Sequence, residues 1–119
     1  MAKILIVDDS PTQVQSIIKM LVKHGHETLT AVDGDSAVIV ARKELPDLIL
    51  MDVVMPGLNG FQATRNITKN EATRHIPVIM LSSKDQETDK VWGVRQGASD
   101  YIIKPAAEDK LIAAINKLL

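Results

Sequence analysis

Four apolar residues in succession, Leu48-Ile49-Leu50-Met51, stop abruptly at Asp52. A run without polar alternation predicts a strand covered on both faces, as in a parallel sheet with helices above and below. Val53-Val54-Met55-Pro56-Gly57-Leu58-Asn59-Gly60 follows, a stretch rich in turn formers. A carboxylate therefore stands where a buried strand surfaces, and in open parallel sheets ligands bind at that carboxyl end. Ile4-Leu5-Ile6-Val7 ends the same way, in Asp8-Asp9 and then Ser10-Pro11. If the two strands are neighbours, three carboxylates meet at one mouth. Like charges so close raise one another's pKa values unless a cation balances them. Oxygen donors with no His or Cys nearby suit a hard ion such as Mg²⁺.

The rest of the chain supplies the other layers. Lys3 to Val7 is the first strand. Ser10 is placed as a helix N-cap, with Pro11 at the first helical position and Gln13 set for a capping box. Val14, Ile17, Ile18, Leu21 and Val22 make one helical face, and Gly25 suits the position just past the helix. Glu27 to Ala31 alternates in polarity and is expected at a sheet edge. Asp33-Gly34-Asp35 opens a helix whose face is Ala37, Val38, Ala41 and Leu45, with Pro46 ending it. After Asp52, a helix from about Gly60 to near Asn70 turns Phe61 and Ile67 inward. Ile76 to Leu81 is a fourth strand closing at Ser82-Ser83. Asp85 to Gln96 is a predicted helix with Val91, Val94 and Ala98 inward and Gly97 beyond its end. Tyr101-Ile102-Ile103 is a short fifth strand ending at Lys104-Pro105. Leu111, Ile112, Ile115, Leu118 and Leu119 stripe a last helix whose start, Ala106-Ala107, lacks a good cap.

Alternating strands and helices with short connections define an α/β parallel sheet with helices on both faces. With the weak second strand at an edge, the order 2-1-3-4-5 places strands one and three together at the switch point. That arrangement brings Asp8 and Asp9 to Asp52. At 119 residues the chain is the size of one domain, and no linker, repeat or low-complexity stretch divides it. One domain over 1–119, with no output module, is the expectation. Hydrophobic residues make up 45%, which suits a globular core, but aromatics only 3%, so Ile, Leu, Val and Ala must build it. A net charge of −1 gives little attraction to nucleic acid or anionic lipid. The absence of cysteine excludes disulfide and thiol chemistry and fits a cytoplasmic location. No apolar run reaches membrane-spanning length, and the N-terminus does not read as a signal peptide.

Asp8-Asp9, Asp52, Ser82 and Lys104 all lie at strand carboxyl ends, and each has a role in phosphoryl transfer, where positioning and charge neutralisation dominate. Asp52 can act as nucleophile and form an acyl phosphate. Asp9, with Asp8, can hold Mg²⁺; Lys104 can neutralise a phosphoryl oxygen and the Ser82 hydroxyl can donate to another. Ile6-Val7-Asp8-Asp9-Ser10, Leu50-Met51-Asp52-Val53-Val54-Met55-Pro56-Gly57, Pro77-Val78-Ile79-Met80-Leu81-Ser82 and Gly97-Ala98-Ser99-Asp100-Tyr101-Ile102-Ile103-Lys104-Pro105 together resemble the receiver domain of two-component response regulators, of the single-domain chemotaxis kind with a flavodoxin-like (βα)5 fold. Asn59-Gly60-Phe61-Gln62-Ala63-Thr64-Arg65 and Lys84-Asp85-Gln86-Glu87-Thr88-Asp89-Lys90-Val91-Trp92-Gly93 are similar to the PilH-type regulators of pilus-based twitching motility.

The resemblance implies that a sensor histidine kinase, of chemotaxis type, phosphorylates Asp52. It implies Mg²⁺ on Asp9, Asp52 and the backbone carbonyl of Val54, with Asp8 behind them, out of direct contact with the ion. Ser82 would be the switch hydroxyl and Tyr101 the switch aromatic, changing the surface of the last two helices and the fifth strand for an output protein. The Lys104-Pro105 bond would be cis. The chain would not be a turnover enzyme; phosphoacceptance and autodephosphorylation would be its only chemistry, in a monomer or weak dimer without nucleic-acid or membrane partners. Three positions bear on how far the pattern carries: the hydroxyl is Ser82 rather than the commoner Thr, Ala106 stands where chemotaxis members often have an aromatic, and apolar Val54 has no side chain to orient an attacking water.

Asp52 alone would be a turn residue, Lys104 alone a solvated lysine, Ser82 a strand-ending serine and Tyr101 an edge aromatic; it is their joint placement that favours a site. Trp92 falls off its helical stripe and is either partial packing or a partner's anchor. His24, His26 and His75 lie away from the strand carboxyl ends and read as surface or loop residues. Three other functions compete. An Mg²⁺-dependent phosphohydrolase or phosphotransferase would carry a second Asp where Val54 stands. A flavodoxin-like cofactor carrier would replace Asp8-Asp9 with a Ser, Thr and Gly cradle. A scaffold without phosphoacceptance would not retain Asp9, Asp52, Ser82 and Lys104 together. A regulator that drains phosphoryl groups from a sister protein is the remaining variant of the receiver reading.

Overall fold

The computed structural model describes residues 2–53, 59–82, 91 and 93–119. Five parallel strands form the centre: β1 (Lys3–Val7), β2 (Glu27–Ala31), β3 (Leu48–Asp52), β4 (Val78–Ser82) and β5 (Asp100–Ile103). Their order is β2-β1-β3-β4-β5, as the sequence predicts. Ile4 pairs with Leu48 and Val7 with Met51, so β1 and β3 are neighbours at the switch point. Asp52 pairs with Leu81 and Ser82 with Ile103, which completes the row of strand ends.

Period-two alternation sorts the side chains into two cores. Leu5, Val7, Ile49, Met51, Val78 and Met80 face one cluster. It is closed by Ala37 and Ala41 of α2 (Gly34–Glu44) and by Ala63 and Ile67 of α3 (Gly60–Lys69). Ile4, Ile6, Leu48, Leu50, Ile79, Leu81 and Ile102 face the other. It is closed by Ile17 and Leu21 of α1 (Pro11–Lys23) and by Leu111, Ile112 and Ile115 of the C-terminal helix (Glu108–Leu118). Covering on both faces is why β1, β3 and β4 read as unbroken apolar runs. Edge strand β2 is covered less completely, and it alternates.

The helix ends follow their local chemistry. The Ser10 hydroxyl accepts from the Gln13 N–H at 3.5 Å, and Asp33 accepts from the Ser36 N–H at 2.8 Å. Asn59 and Gln62 form a reciprocal capping box at 3.0 and 3.2 Å. That box is where the turn-rich stretch after Asp52 ends. Gly25 has φ of +85° just past α1, in the left-handed role expected of it. Ala107 precedes the C-terminal helix without a side-chain cap; Glu108 and Asp109 in the first turn favour the helix dipole instead.

Several expected core positions face solvent. Val22 is exposed because the buried face of α1 turns toward Met20 rather than past Leu21. Leu45 is exposed and left-handed, with φ of +46°: Pro46 forbids further helix, so the chain turns at Leu45 rather than burying it. Val91 and Val94 are exposed, and the buried position between them is Gly93. A Cβ on Gly93 would sit 3.0 Å from Met80 Sδ and 3.2 Å from the Tyr101 ring, so this face was set by close approach and not by bulk. Leu119 is exposed at the chain end, and Leu118 is half-buried. β4 begins at Val78, two residues later than expected, and β5 begins at Asp100. The expected helix over residues 85–96 falls largely outside the described residues.

Gly60 is the fold's tightest contact with the site. A Cβ there would lie 2.2 Å from the Asp52 carbonyl oxygen and 2.8 Å from Val53 Cα. Those atoms are backbone and cannot step aside, so α3 starts directly against the end of β3. Gly60→Ala is expected to lower stability by about 3 kcal/mol, as overpacking against an immovable wall does. The urea midpoint of the purified variant measures it; a midpoint equal to wild type would show that α3 is free to shift.

Candidate functional site

Alternation places Asp8, Asp52 and Lys104 in one continuous layer. Ile4 and Ile6 lead to Asp8, Leu48 and Leu50 to Asp52, and Ile102 to Lys104, each two residues beyond an apolar residue of the same core. The core facing α1 and the C-terminal helix thus ends, at its carboxyl rim, in two carboxylates and an ammonium. Lys104 Nζ donates to Asp8 Oδ2 at 3.0 Å and to Asp52 Oδ1 at 3.0 Å. Its third bond goes to Gln13 Oε1 at 2.6 Å. Asp8 Oδ1 accepts from the Ser10 N–H at 2.9 Å, so both carboxylate oxygens of Asp8 are engaged.

Asp8 and Asp52 are 3% and 8% exposed, whereas Asp9 is open to solvent. One oxygen from each of the three lies within 4.8 Å of the others. Burial pushes the Asp52 carboxyl above the usual aspartate range. The Lys104 hydrogen bond and charge pull it back, and the charges of Asp8 and Asp9 push it up again. Desolvation is the largest of these effects, and the repulsion from Asp8 and from solvent-screened Asp9 is the smallest. Among the described residues one lysine faces three acids, and an all-oxygen donor set with spare negative charge suits a hard divalent cation.

The remaining predicted residues fall differently. Ser82 is buried at the end of β4, and by alternation it follows Val78 and Met80, on the core opposite to Asp52. Tyr101 is half-buried and packs on that same core. Ser82 and Tyr101 therefore share a face, separate from the acid and lysine layer. The carbonyl of Ser82 accepts from the Lys104 N–H at 2.7 Å, which ties the two strand ends together. The Lys104–Pro105 peptide is cis. Val54 and Trp92 lie outside the described residues. His75 is exposed in a turn, and His24 lies 3.4 Å from Glu108 on the surface. His26 is more than a loop residue: its Nδ1 accepts from the Ala2 N–H at 3.2 Å, clamping the start of the sheet.

Two site residues carry no distinctive signal in the sequence. Gly60 looks like one more turn glycine. Gln13 looks like the far half of a capping box, but the Ser10 N–H it would accept from is already taken by Asp8, and its amide oxygen goes to Lys104 instead.

A doubly wound sheet with a triad of acids and a lysine at its switch point defines a phosphoryl-handling α/β domain. The response regulator receiver domain model matches residues 4–116, and the chain belongs to that family, as a response regulator of phosphorelay signalling. It is 60% identical to protein PilH of Pseudomonas aeruginosa over 119 residues, spanning all of this chain and 98% of that protein. Response regulator PleD of Caulobacter vibrioides is 39% identical over 117 residues, which cover 98% of this chain but 26% of PleD. Among solved structures, chemotaxis protein CheY4 of Vibrio cholerae superposes with a TM-score of 0.93 at 32% identity, over 100% of this chain and 99% of that one. The receiver domain of a P. aeruginosa sensor histidine kinase superposes with a TM-score of 0.91 at 32% identity, over 98% and 96% of the two chains; that structure holds a magnesium ion in its active-site cleft. Membership implies a histidine kinase as phosphodonor and an output partner. Asp8, Asp9 and Asp52 are an acidic cluster of the kind at which receiver domains bind Mg²⁺. Among the described residues no helix is long and apolar enough to cross a membrane.

The raised pKa of Asp52 has a definite sign. The folded state favours the neutral acid, so its contribution to stability is present below the ordinary carboxyl range and is lost as pH rises through the raised value. Asp52→Asn is therefore expected to unfold with about 1–2 kcal/mol more stability than wild type at neutral pH without metal. The gain should shrink as pH falls below the ordinary carboxyl range. Urea unfolding in chelator at several pH values measures this; a variant less stable than wild type at neutral pH would mean the Lys104 contact outweighs burial and repulsion.

Proposed function

We propose that the chain is a stand-alone response regulator whose Asp52 accepts a phosphoryl group from a phosphohistidine of a sensor kinase. An Asp52 carboxylate oxygen attacks phosphorus, the donor's N–P bond breaks, and the imidazole leaves and takes up a proton. The observation that carries this reading is Lys104 Nζ held 3.0 Å from both Asp8 and Asp52, at a rim with three converging carboxylates. Lys104 exchanges its Asp52 contact for a phosphoryl oxygen and neutralises charge there. Asp9 and Asp52 would hold Mg²⁺, with the Val54 carbonyl as a further donor and Asp8 fixing the site from behind. Bound there, the ion offsets the negative charge of the phosphoryl oxygens.

Ser82 and Tyr101 act as the switch. They share the core opposite to the acid layer, so a pull on Ser82 toward the phosphoryl group reaches the packing around Tyr101 and Gly93 directly. Output is by altered protein contact, without turnover chemistry beyond loss of the acyl phosphate. The 60% identity to PilH over nearly all of both chains supports a role in pilus-based twitching motility, fed by a chemotaxis-type kinase in the cytoplasm. A phosphohydrolase of organic phosphates is disfavoured by Val54, which leaves no acid two residues after the nucleophile.

Incubation with Mg²⁺ and a small phosphodonor, followed by intact mass, tests the reading. One labile phosphoryl adduct is expected on wild type, none on Asp52→Asn, and much slower uptake in chelator. An adduct retained by Asp52→Asn, or repeated turnover of organic phosphates, would contradict it.

A further inference from the structure

We propose that Gln13 is a positioning residue for Lys104, an inference that rests on Asp52 being the phosphoacceptor. An ammonium has three hydrogens and no more. Here they go to Asp8, Asp52 and Gln13, and the bond to Gln13, at 2.6 Å, is the shortest of the three. The lysine comes from the end of β5 and the amide from the first turn of α1, so this bond joins the two walls of an open cleft of about 480 Å³ that also holds Asp9 and Asp52.

Gln13 is free for this task because of its neighbours. A glutamine at the third helical position ordinarily turns back to the N-cap N–H. Asp8 Oδ1 already accepts that N–H from Ser10, and the Gln13 side chain reaches across the cleft instead. Phosphorylation makes one Asp52 oxygen the bridging oxygen of an acyl phosphate and brings phosphoryl oxygens into reach of Nζ. Of the lysine's three acceptors only Asp52 is altered. Asp8 and Gln13 remain, and two fixed bonds direct the third hydrogen at the incoming group. Asp8 alone would leave the ammonium free to pivot. The amide supplies this second anchor as a neutral acceptor, adding no negative charge where an anionic donor must arrive.

The test compares phosphorylation of wild type, Gln13→Met and Gln13→Glu by a small anionic phosphodonor in saturating Mg²⁺. Donor concentration is varied, and unfolding midpoints confirm folded protein. Gln13→Met removes the acceptor and keeps a good helix former. It should lower the maximal rate about tenfold, the worth of one hydrogen bond to a charged group, with the half-saturating donor concentration unchanged. Gln13→Glu restores an acceptor and should recover the maximal rate to within about twofold while raising the half-saturating concentration, since the added charge repels the donor. A wild-type maximal rate in Gln13→Met, or equal loss of maximal rate in both variants, would overturn the assignment. Asp52→Asn is run alongside: if it still gains the phosphoryl group, the phosphoacceptor reading itself fails, and the role of Gln13 with it; if it does not, a negative result for Gln13 stands against Gln13 alone.

Discussion

Among the described residues, the rim of the sheet is held by a single ammonium among acids. Lys104 reaches Asp8 and Asp52 at 3.0 Å each, and Asp9 stands close enough to repel both carboxylates. One positive charge does not cancel three negative ones, and Asp52 is nearly out of water. The outcome is a carboxyl whose charged form is disfavoured in the resting protein, which is a poor arrangement for stability and a good one for a site awaiting a cation. A divalent cation bound among these oxygens would offset the excess negative charge.

What holds the conflicting groups together is the two-residue alternation of parallel strands. Asp8, Asp52 and Lys104 each continue a row of apolar side chains packed under α1 and the C-terminal helix. None can retreat without withdrawing its strand from a core that is almost fully buried. Gly60 adds a stop behind Asp52, because α3 begins with its backbone on the Asp52 carbonyl. Tyr101 packs on the opposite core, and Ser82 follows Val78 and Met80 toward that side by alternation, so these two residues and the acid-lysine layer occupy different faces of one sheet.

Strand order, helix faces and the acid cluster were legible in the sequence because they are written in periodicity. Buried parallel strands are plain apolar runs, and the residues that end them are conspicuous by contrast. The faces of Val22, Val91, Val94 and Leu119 were misjudged because hydrophobicity marks what can be buried and not what is. At Gly93 a close helix–sheet approach uses the residue with no side chain, which a count of apolar positions passes over. Leu45 fits a helix face by its spacing, yet it is the left-handed residue at which the chain leaves the helix before Pro46. Gln13 was concealed by a sound local alternative: capping explained it fully until Asp8 was seen to occupy the donor.

The balance of charge at Asp52 is most directly measured by carboxyl-carbon NMR, titrating the aspartates with pH in metal-free protein and again with Mg²⁺. The account predicts that Asp52 titrates above the ordinary aspartate range without metal, and that Mg²⁺ lowers its midpoint while shifting the Asp9 resonance. An Asp52 carboxyl that titrates at or below its ordinary value and does not respond to Mg²⁺ would contradict it.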